Sequence, residues 1–236
     1  MQTSASRRIL LGPNNLMLHR FDIDKIVKIL RKEVMALRNP SVSEVALDFK
    51  NPFHVLISCI LSLRTKDQVT RKAAERLFEL ANNPKTMLKL SLSKIQKAIY
   101  PVGFYRVKSK NIKNICKDLI IKFKGKVPSQ MEELLSLKGV GRKTANLVLT
   151  EGFGKPGICV DTHVHRISNR FGYIATKNPF ETEMALREKL PKKYWIEYNN
   201  LLVRWGQNIC KPIGPLCGIC KIERFCSKVN VKSREN

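Results

Sequence analysis

The most informative stretch of the chain is Leu137-Lys138-Gly139-Val140-Gly141-Arg142-Lys143-Thr144-Ala145. Its two glycines predict a tight turn that opens a helix, and they let backbone N–H groups approach an anion closely. The positive end of the following helix adds to that attraction, so the turn suits a phosphate. We therefore expect Gly139 and Gly141 to offer backbone amides, and Arg142 its guanidinium, to the phosphates of one nucleic-acid strand.

Lys143 lies on the first turn of this predicted helix, and Asp161 follows it by eighteen residues, within Val160-Asp161-Thr162-His163. A lysine beside a bound phosphate backbone and within reach of a carboxylate is a candidate nucleophile. The alternatives are a lysine that only binds phosphate and an aspartate that only caps a helix. The two residues together favour catalysis, and capping would also fix the direction of the Asp161 carboxylate.

The composition indicates a polyanionic partner. Lys and Arg outnumber Asp and Glu 44 to 19 among 236 residues, which gives a formal net charge of +25. A hydrophobic content of 43% indicates a folded protein rather than a basic disordered tail. Duplex DNA is the first candidate partner, and a ribosome-associated or merely soluble basic protein is the alternative. The absence of a long apolar run in the sequence argues against a membrane partner.

Four of the seven cysteines fall within one short segment near the C-terminus, at Cys210, Cys217, Cys220 and Cys226. Prolines and glycines interrupt them, as in a loop wrapped around one metal centre. Zinc is the general expectation for clustered cysteines, but zinc ribbons bring two short Cys pairs from separate segments. A single compact loop favours a [4Fe–4S] cluster and a reduced, intracellular protein. The other three cysteines, Cys59, Cys116 and Cys159, lie among apolar residues and are expected in the core.

The fold class predicted from hydrophobic periodicity is all-α, because no alternating run of useful length occurs. Asp22 is the expected cap of the first helix, Asn39-Pro40 its stop, and Ser129 with Glu132 a capping box further on. The predicted helices cover roughly 23–37, 53–63, 67–81, a short stretch after Ser93, 106–123, a short stretch after Ser129, 144–150, 162–171, 179–189 and 192–205.

These motifs together resemble the endonuclease III family of helix-hairpin-helix DNA glycosylases. The resemblance extends over about 22–228 and includes the hairpin, the Lys143-to-Asp161 interval and the four-cysteine spacing. Shorter matching stretches are Asn51-Pro52-Phe53, Leu61-Ser62, Thr65 with Asp67, and Gly103-Phe104-Tyr105 followed by Lys108.

The resemblance implies two helical lobes with DNA in the cleft between them, and a C-terminal [4Fe–4S] loop. It divides the chain into a flexible basic extension (1–20), a helical barrel ending in the hairpin (45–156), a cluster domain (21–44 plus 157–226) and a tail (227–236). The protein is expected to be a monomer, because no heptad seam is present. Its expected location is the cytoplasm or nucleoid of a prokaryote, or the nucleus or organelle matrix of a eukaryote.

The implied activity is that of a bifunctional DNA glycosylase and abasic-site lyase acting on oxidised pyrimidines in duplex DNA. Lys143 would attack the sugar carbon that bears the base, and Asp161 would deprotonate it or stabilise positive charge on the sugar. Two alternatives remain open. One is a glycosylase for thymine or uracil opposite guanine; the other is a non-catalytic DNA-binding metal module, which would leave the Lys143–Asp161 pair unexplained.

Three further residues are predicted to contact DNA. Phe104 matches the position where relatives insert an apolar wedge into the opened stack, although it could instead be a loop anchor. Arg64 stands where many relatives carry glutamine, and we expect it to reach the orphan base and favour guanine, or alternatively to bind phosphate. Lys211 in the first cysteine loop belongs to a basic rim around the cluster.

Overall fold

The structure is a computed structural model that describes residues 22–35, 37 and 51–231. The predicted basic extension (1–20) and the Asn39-Pro40 stop lie outside the described residues, as do 45–50 of the predicted barrel and 232–236 of the predicted tail.

The described part of the chain is helical throughout and contains no β-strand, so the predicted all-α class is confirmed. Its α-helices are α1 (Ile23–Val34), α2 (Pro52–Ser62), α3 (Asp67–Leu80), α4 (Pro84–Lys89), α5 (Leu92–Ile99), α6 (Tyr105–Phe123), α7 (Met131–Leu135), α8 (Arg142–Leu147), α9 (Thr162–Arg170), α10 (Pro179–Lys189) and α11 (Trp195–Asn208).

Three helices begin with the same local signal, an asparagine followed by a proline. Asn51, Asn83 and Asn178 cap α2, α4 and α10, and each side chain accepts a backbone N–H from the first turn. Proline suits the first helical position because its missing N–H would have no helical partner there. Asn83 and Pro84 therefore begin α4 directly after the end of α3.

Two other local predictions were wrong. Gln130 rather than Ser129 precedes α7, and no side chain caps this helix; Ser129 instead accepts two bonds from the Lys155 amine, both at 2.8 Å. The predicted helix over 144–150 begins earlier, at Arg142, and changes after Leu147 into a π-helical turn, Val148–Gly152. The turn brings Gly152 against Pro52, so that a Cβ at Gly152 would lie 3.1 Å from the Pro52 Cα.

The buried side chains form two hydrophobic cores. The first is built from α2 to α8 and the π-helical turn, and it surrounds α2, in which residues 53–61 are all buried. The second combines α1 with α9, α10 and α11, and contains the buried Tyr198 and Trp205. The first helix therefore packs with the C-terminal half of the chain, and the domain division stays a prediction.

A buried carboxylate joins the two halves. The Glu183 side chain on α10 is 4% exposed, and it accepts both arms of the Arg142 guanidinium from α8, at 2.7 and 2.9 Å. Arg187 also donates to Glu183, at 2.9 and 3.0 Å. Burial alone would raise the pKa of Glu183, but the hydrogen bonds from Arg142, Asn146 and Arg187 outweigh it and lower that pKa.

We expect Glu183→Ala to lower the free energy of unfolding by about 3 kcal/mol, because it leaves two arginines without their shared partner. Both arginines are partly exposed, which keeps the value at the low end of the range for buried pairs. The difference from the native protein should shrink as the pH falls below 4.5, the ordinary pKa of this carboxyl. Urea unfolding at several pH values measures both effects.

Glu188→Ala is the matched control, because Glu188 is an exposed carboxylate on the same helix. Its loss should change stability by no more than about 0.5 kcal/mol. Equal destabilisation by the two variants would show that the Glu183 bridge contributes nothing specific.

Candidate active site in the cleft between the two cores

The predicted catalytic pair meets in the structure. The Lys143 Nζ lies 3.9 Å from the Asp161 Oδ2, with the lysine side chain 43% exposed and the aspartate side chain 11% exposed. Lys143 belongs to α8 of the first core, whereas Asp161 immediately precedes α9 of the second. The two halves of the chain therefore supply one member each, and the amine stays open to solvent while the carboxylate is held within the protein.

The two oxygens of the Asp161 carboxylate have different partners. Oδ1 accepts the backbone N–H groups of His163 and Val164, both at 2.9 Å, and so caps α9. Oδ2 faces the Lys143 amine. The predicted capping is confirmed, and it fixes the direction of the carboxylate because the capping bonds leave the side chain little freedom.

A cavity of about 410 Å³ lies over the pair. Its walls include Thr65 between α2 and α3, Leu147 on α8, and Asn199 and Gln207 on α11, so both cores line it. Gln207 donates to the Asp67 carboxylate across the cavity at 3.1 Å. The volume lies within the range of sites that enclose a small organic group.

The hairpin glycines are exposed, as expected of residues that contact an extended ligand. Gly139 has a φ of +85°, a conformation that favours glycine. The Arg142 guanidinium is bonded through Nε and Nη2 to Glu183 and lies 5.4 Å from the Phe180 ring centroid. The side chain is 37% exposed and these two bonds do not use Nη1, so the phosphate contact of Arg142 stays a prediction.

Arg64 and Phe104 lie side by side at the edge of the cleft. The Arg64 guanidinium carbon is 5.7 Å from the centroid of the Phe104 ring, and Phe104 is 61% exposed. Both residues adopt left-handed backbone conformations, with φ of +54° and +57°. Such conformations cost non-glycine residues about 1 kcal/mol or more and persist where the surroundings impose them. An exposed phenylalanine is not the core anchor considered as the alternative.

The four clustered cysteines line one pocket, which Arg170 of α9 and Trp205 of α11 also line. All four are partly buried free thiols. Arg170, itself 9% exposed, donates to the backbone carbonyls of Lys211 and Pro212 at 2.6 and 2.8 Å and holds the start of the loop. Burial and the neighbouring thiols raise the pKa of Cys220 to about 11. Lys211 is exposed. Among the described residues, no group of three or more His, Cys, Asp or Glu side chains is arranged to hold a metal ion.

The remaining cysteines, Cys59, Cys116 and Cys159, are buried, as predicted. Burial raises the pKa of Cys59 and of Cys116 to about 12, so both stay protonated and serve as small apolar groups.

Comparison with known proteins shows which family this chain belongs to. The family model of the HhH-GPD superfamily of base excision DNA repair proteins matches residues 57–192. Endonuclease III of Thermotoga maritima is 48% identical over 75% of this chain and 83% of its own length. Endonuclease III of Haemophilus influenzae is 40% identical over 76% of this chain and 85% of its own length. This chain belongs to the endonuclease III family.

A solved structure supports the assignment at the level of the fold. The structure of a trapped covalent intermediate between an endonuclease III and DNA superposes with a TM-score of 0.77. The two chains are 34% identical, and the match covers 87% of this chain and 94% of the other. The resemblance of the sequence motifs to the endonuclease III family is therefore confirmed.

Two features of this chain were not predicted from the sequence. One is the bond between Arg142 and Glu183, which lie 41 residues apart, whereas Glu183 and Arg187 have the local i,i+4 spacing. The other is the burial of Lys108, which the sequence analysis named only within a matching stretch and which is 6% exposed. A signal for Lys108 existed, because it lies four residues before the buried Ile112 on the apolar face of α6.

Across the described ranges, no helix combines the length and the apolar character that crossing a bilayer requires.

We expect Asp161→Ala to destabilise the protein by about 1 kcal/mol, because it removes the cap of α9. Asp161→Asn should change the free energy of unfolding by only a few tenths of a kcal/mol, since an asparagine oxygen can accept the same two backbone bonds. Thermal unfolding of the two variants beside the native protein provides the measurement. Equal losses in both variants would mean that the carboxylate charge, rather than the cap, stabilises this helix.

Proposed function

We propose that this protein is a bifunctional DNA glycosylase and abasic-site lyase that removes oxidised pyrimidines from duplex DNA. The observation that carries the proposal is the meeting of the Lys143 amine and the Asp161 carboxylate at 3.9 Å, beneath a cavity of about 410 Å³ between the two cores. Membership in a family of base excision repair enzymes supports the same reaction.

The damaged nucleotide has to leave the helix before Lys143 can reach it. No side chain reaches the sugar carbon of a stacked base, so the nucleotide must rotate out of the duplex. The cavity over Lys143 has room for one nucleobase, and Asn199 and Gln207 on its wall offer amide groups to polar edges of that base. The energy needed for unstacking is smaller at a damaged pair, which favours lesions over intact pairs.

The chemistry follows from the two side chains. The neutral Lys143 Nζ forms a bond to the sugar C1′, the glycosidic bond breaks, and the base leaves with the bonding pair and takes up a proton. The Asp161 Oδ2 accepts the proton of the attacking amine or stabilises positive charge on the sugar. The sugar ring then opens: the C1′–O4′ bond breaks, O4′ takes up a proton, and a lysine–sugar imine forms. This imine acidifies the adjacent C2′–H; loss of that proton breaks the C3′–O bond, expels the 3′ phosphate and nicks the strand.

We propose that the DNA is held by the exposed hairpin and by the cluster loop. The backbone amides of Gly139 and Gly141 and the exposed amine of Lys211 would contact phosphates. Phe104 would enter the opened stack as a wedge, and Arg64 beside it would face the base left without a partner and favour guanine. Arg142, whose guanidinium is held by Glu183 through Nε and Nη2, would contact a phosphate through Nη1.

We also propose that Cys210, Cys217, Cys220 and Cys226 hold a [4Fe–4S] cluster. The donor set fits, because four free thiols line one partly buried pocket and Arg170 directs an N–H to the Cys210 sulfur at 3.5 Å. The cluster would act as a structural centre that arranges Lys211, Lys221 and Arg224 on the basic rim.

We place the enzyme inside the cell wherever DNA is kept: the cytoplasm or nucleoid, the nucleus, or an organelle matrix.

Borohydride trapping on a duplex containing one thymine glycol tests the reaction. We expect a covalent protein–DNA band with the native protein and none with Lys143→Gln, because only the amine forms the reducible imine. Lys138→Gln, which changes an exposed lysine on the same hairpin, should weaken binding and still give the band. Base release without any trapped band would refute the lyase assignment and favour a monofunctional glycosylase.

Metal analysis tests the cluster. We expect iron and acid-labile sulfide in equal amounts, no zinc, and visible absorbance that disappears with Cys217→Ser. Cys116→Ala should keep the absorbance, because Cys116 lies in the first core. A colourless native protein that contains zinc would contradict the cluster and favour a zinc site.

A further inference from the structure

A buried lysine connects the two turns that carry Arg64 and Phe104. Lys108, near the beginning of α6, donates from its Nζ to the Leu61 carbonyl at 2.7 Å, to the Thr65 hydroxyl at 3.0 Å and to the Leu63 carbonyl. An ammonium group has three N–H donors, and all three acceptors lie within 61–65. The lysine on α6 therefore organises the turn that follows α2.

The C-terminal end of α2 is stabilised by a positive charge such as the Lys108 ammonium group. The last carbonyls of a helix lack helical partners and carry the negative end of its dipole. The last turn of α2 contains no basic residue, so Lys108 supplies the positive charge and the donors from another helix. Burial lowers the pKa of Lys108 to about 8, and the amine is therefore still mostly protonated at neutral pH.

A second set of contacts connects the turn that carries Phe104 to Thr65 and Arg64. The Gly103 N–H donates to the Thr65 hydroxyl at 3.2 Å, and this hydroxyl also accepts from Lys108. A Cβ at Gly103 would lie 2.6 Å from the Arg64 carbonyl oxygen, so only glycine permits this approach. The two turns are thus in direct contact, and their left-handed residues, Arg64 and Phe104, project together.

We propose that Lys108 is a positioning residue that fixes Arg64 and Phe104 as one rigid unit, so that discrimination of the base opposite the lesion depends on a side chain that never touches DNA. The inference rests on the proposed function, in which Arg64 and Phe104 enter the opened stack. Its energetic basis is preorganisation, since a turn held by three bonds loses little conformational freedom when DNA binds.

The test compares single-turnover excision of an oxidised pyrimidine placed opposite guanine or adenine. In the native protein we expect faster excision opposite guanine, and Arg64→Gln should reduce that ratio on the order of tenfold, the value of one well-placed arginine–guanine contact. Lys108→Met should reduce the ratio by a similar factor. Borohydride trapping on a preformed abasic site should still occur in Lys108→Met, because Lys143 and Asp161 are unchanged.

Lys113→Met is the matched control. Lys113 lies on the same helix, and its amine also bonds a backbone carbonyl, that of Leu90 at 2.6 Å, but at a different turn. The Lys113→Met variant should leave the ratio of excision rates opposite guanine and adenine unchanged. If Lys108→Met does not fold, Thr65→Val removes the shared hydroxyl while keeping the volume, and it should lower the ratio in the same direction.

The double variant Arg64→Gln/Lys108→Met decides between positioning and general destabilisation. If Lys108 acts through Arg64, the second substitution should reduce the ratio no further than the first. A ratio that Lys108→Met leaves at the native value, or that falls additively in the double variant, would overturn the proposal. A native protein that traps DNA but shows no opposite-base preference would also overturn it, whereas the absence of native trapping would refute the proposed function itself.

Discussion

The geometry of the active site depends on one buried carboxylate. Glu183 holds Arg142, the residue immediately before Lys143, and so ties α8 to α10. The neighbouring Thr182 bonds the His165 ring at 2.7 Å, which ties α10 to α9, and α9 begins at its cap Asp161. This series of contacts holds the Lys143 amine and the Asp161 carboxylate at their separation, although the helices that carry them belong to different hydrophobic cores.

The sequence was most informative where function requires particular residues at a fixed spacing. The glycine hairpin, the Lys143–Asp161 interval and the four cysteines are local patterns, and the structure brings the lysine and aspartate together and gathers the cysteines around one pocket. Helix periodicity similarly predicted α6 and α10 to within a residue at each end. The hairpin, the helices and the cysteine loop depend on interactions between residues that are close in the sequence, whereas the lysine and the aspartate were identified by their interval along the chain.

The features that sequence reasoning missed depend on tertiary contacts. Arg142 was assigned to phosphate because its neighbours predict an anion site, while its partner Glu183 lies 41 residues away. Lys108 finds its acceptors 43 to 47 residues earlier, at the end of another helix. The Ser129 capping box failed because Lys155 competes for the same serine. Local propensity cannot reveal a partner that only the folded chain supplies.

The exposed ring of Phe104 has a consequence for how such a protein searches undamaged DNA. The ring already projects from a left-handed turn before any ligand is present, so its apolar surface remains hydrated in the free protein and gains by entering a base stack. In the proposed wedge role, this ring would press equally on every base step it passes, and intact stacks would resist it more than weakened ones. The protein would then survey DNA mechanically, by testing how easily each step opens before any base reaches the cavity.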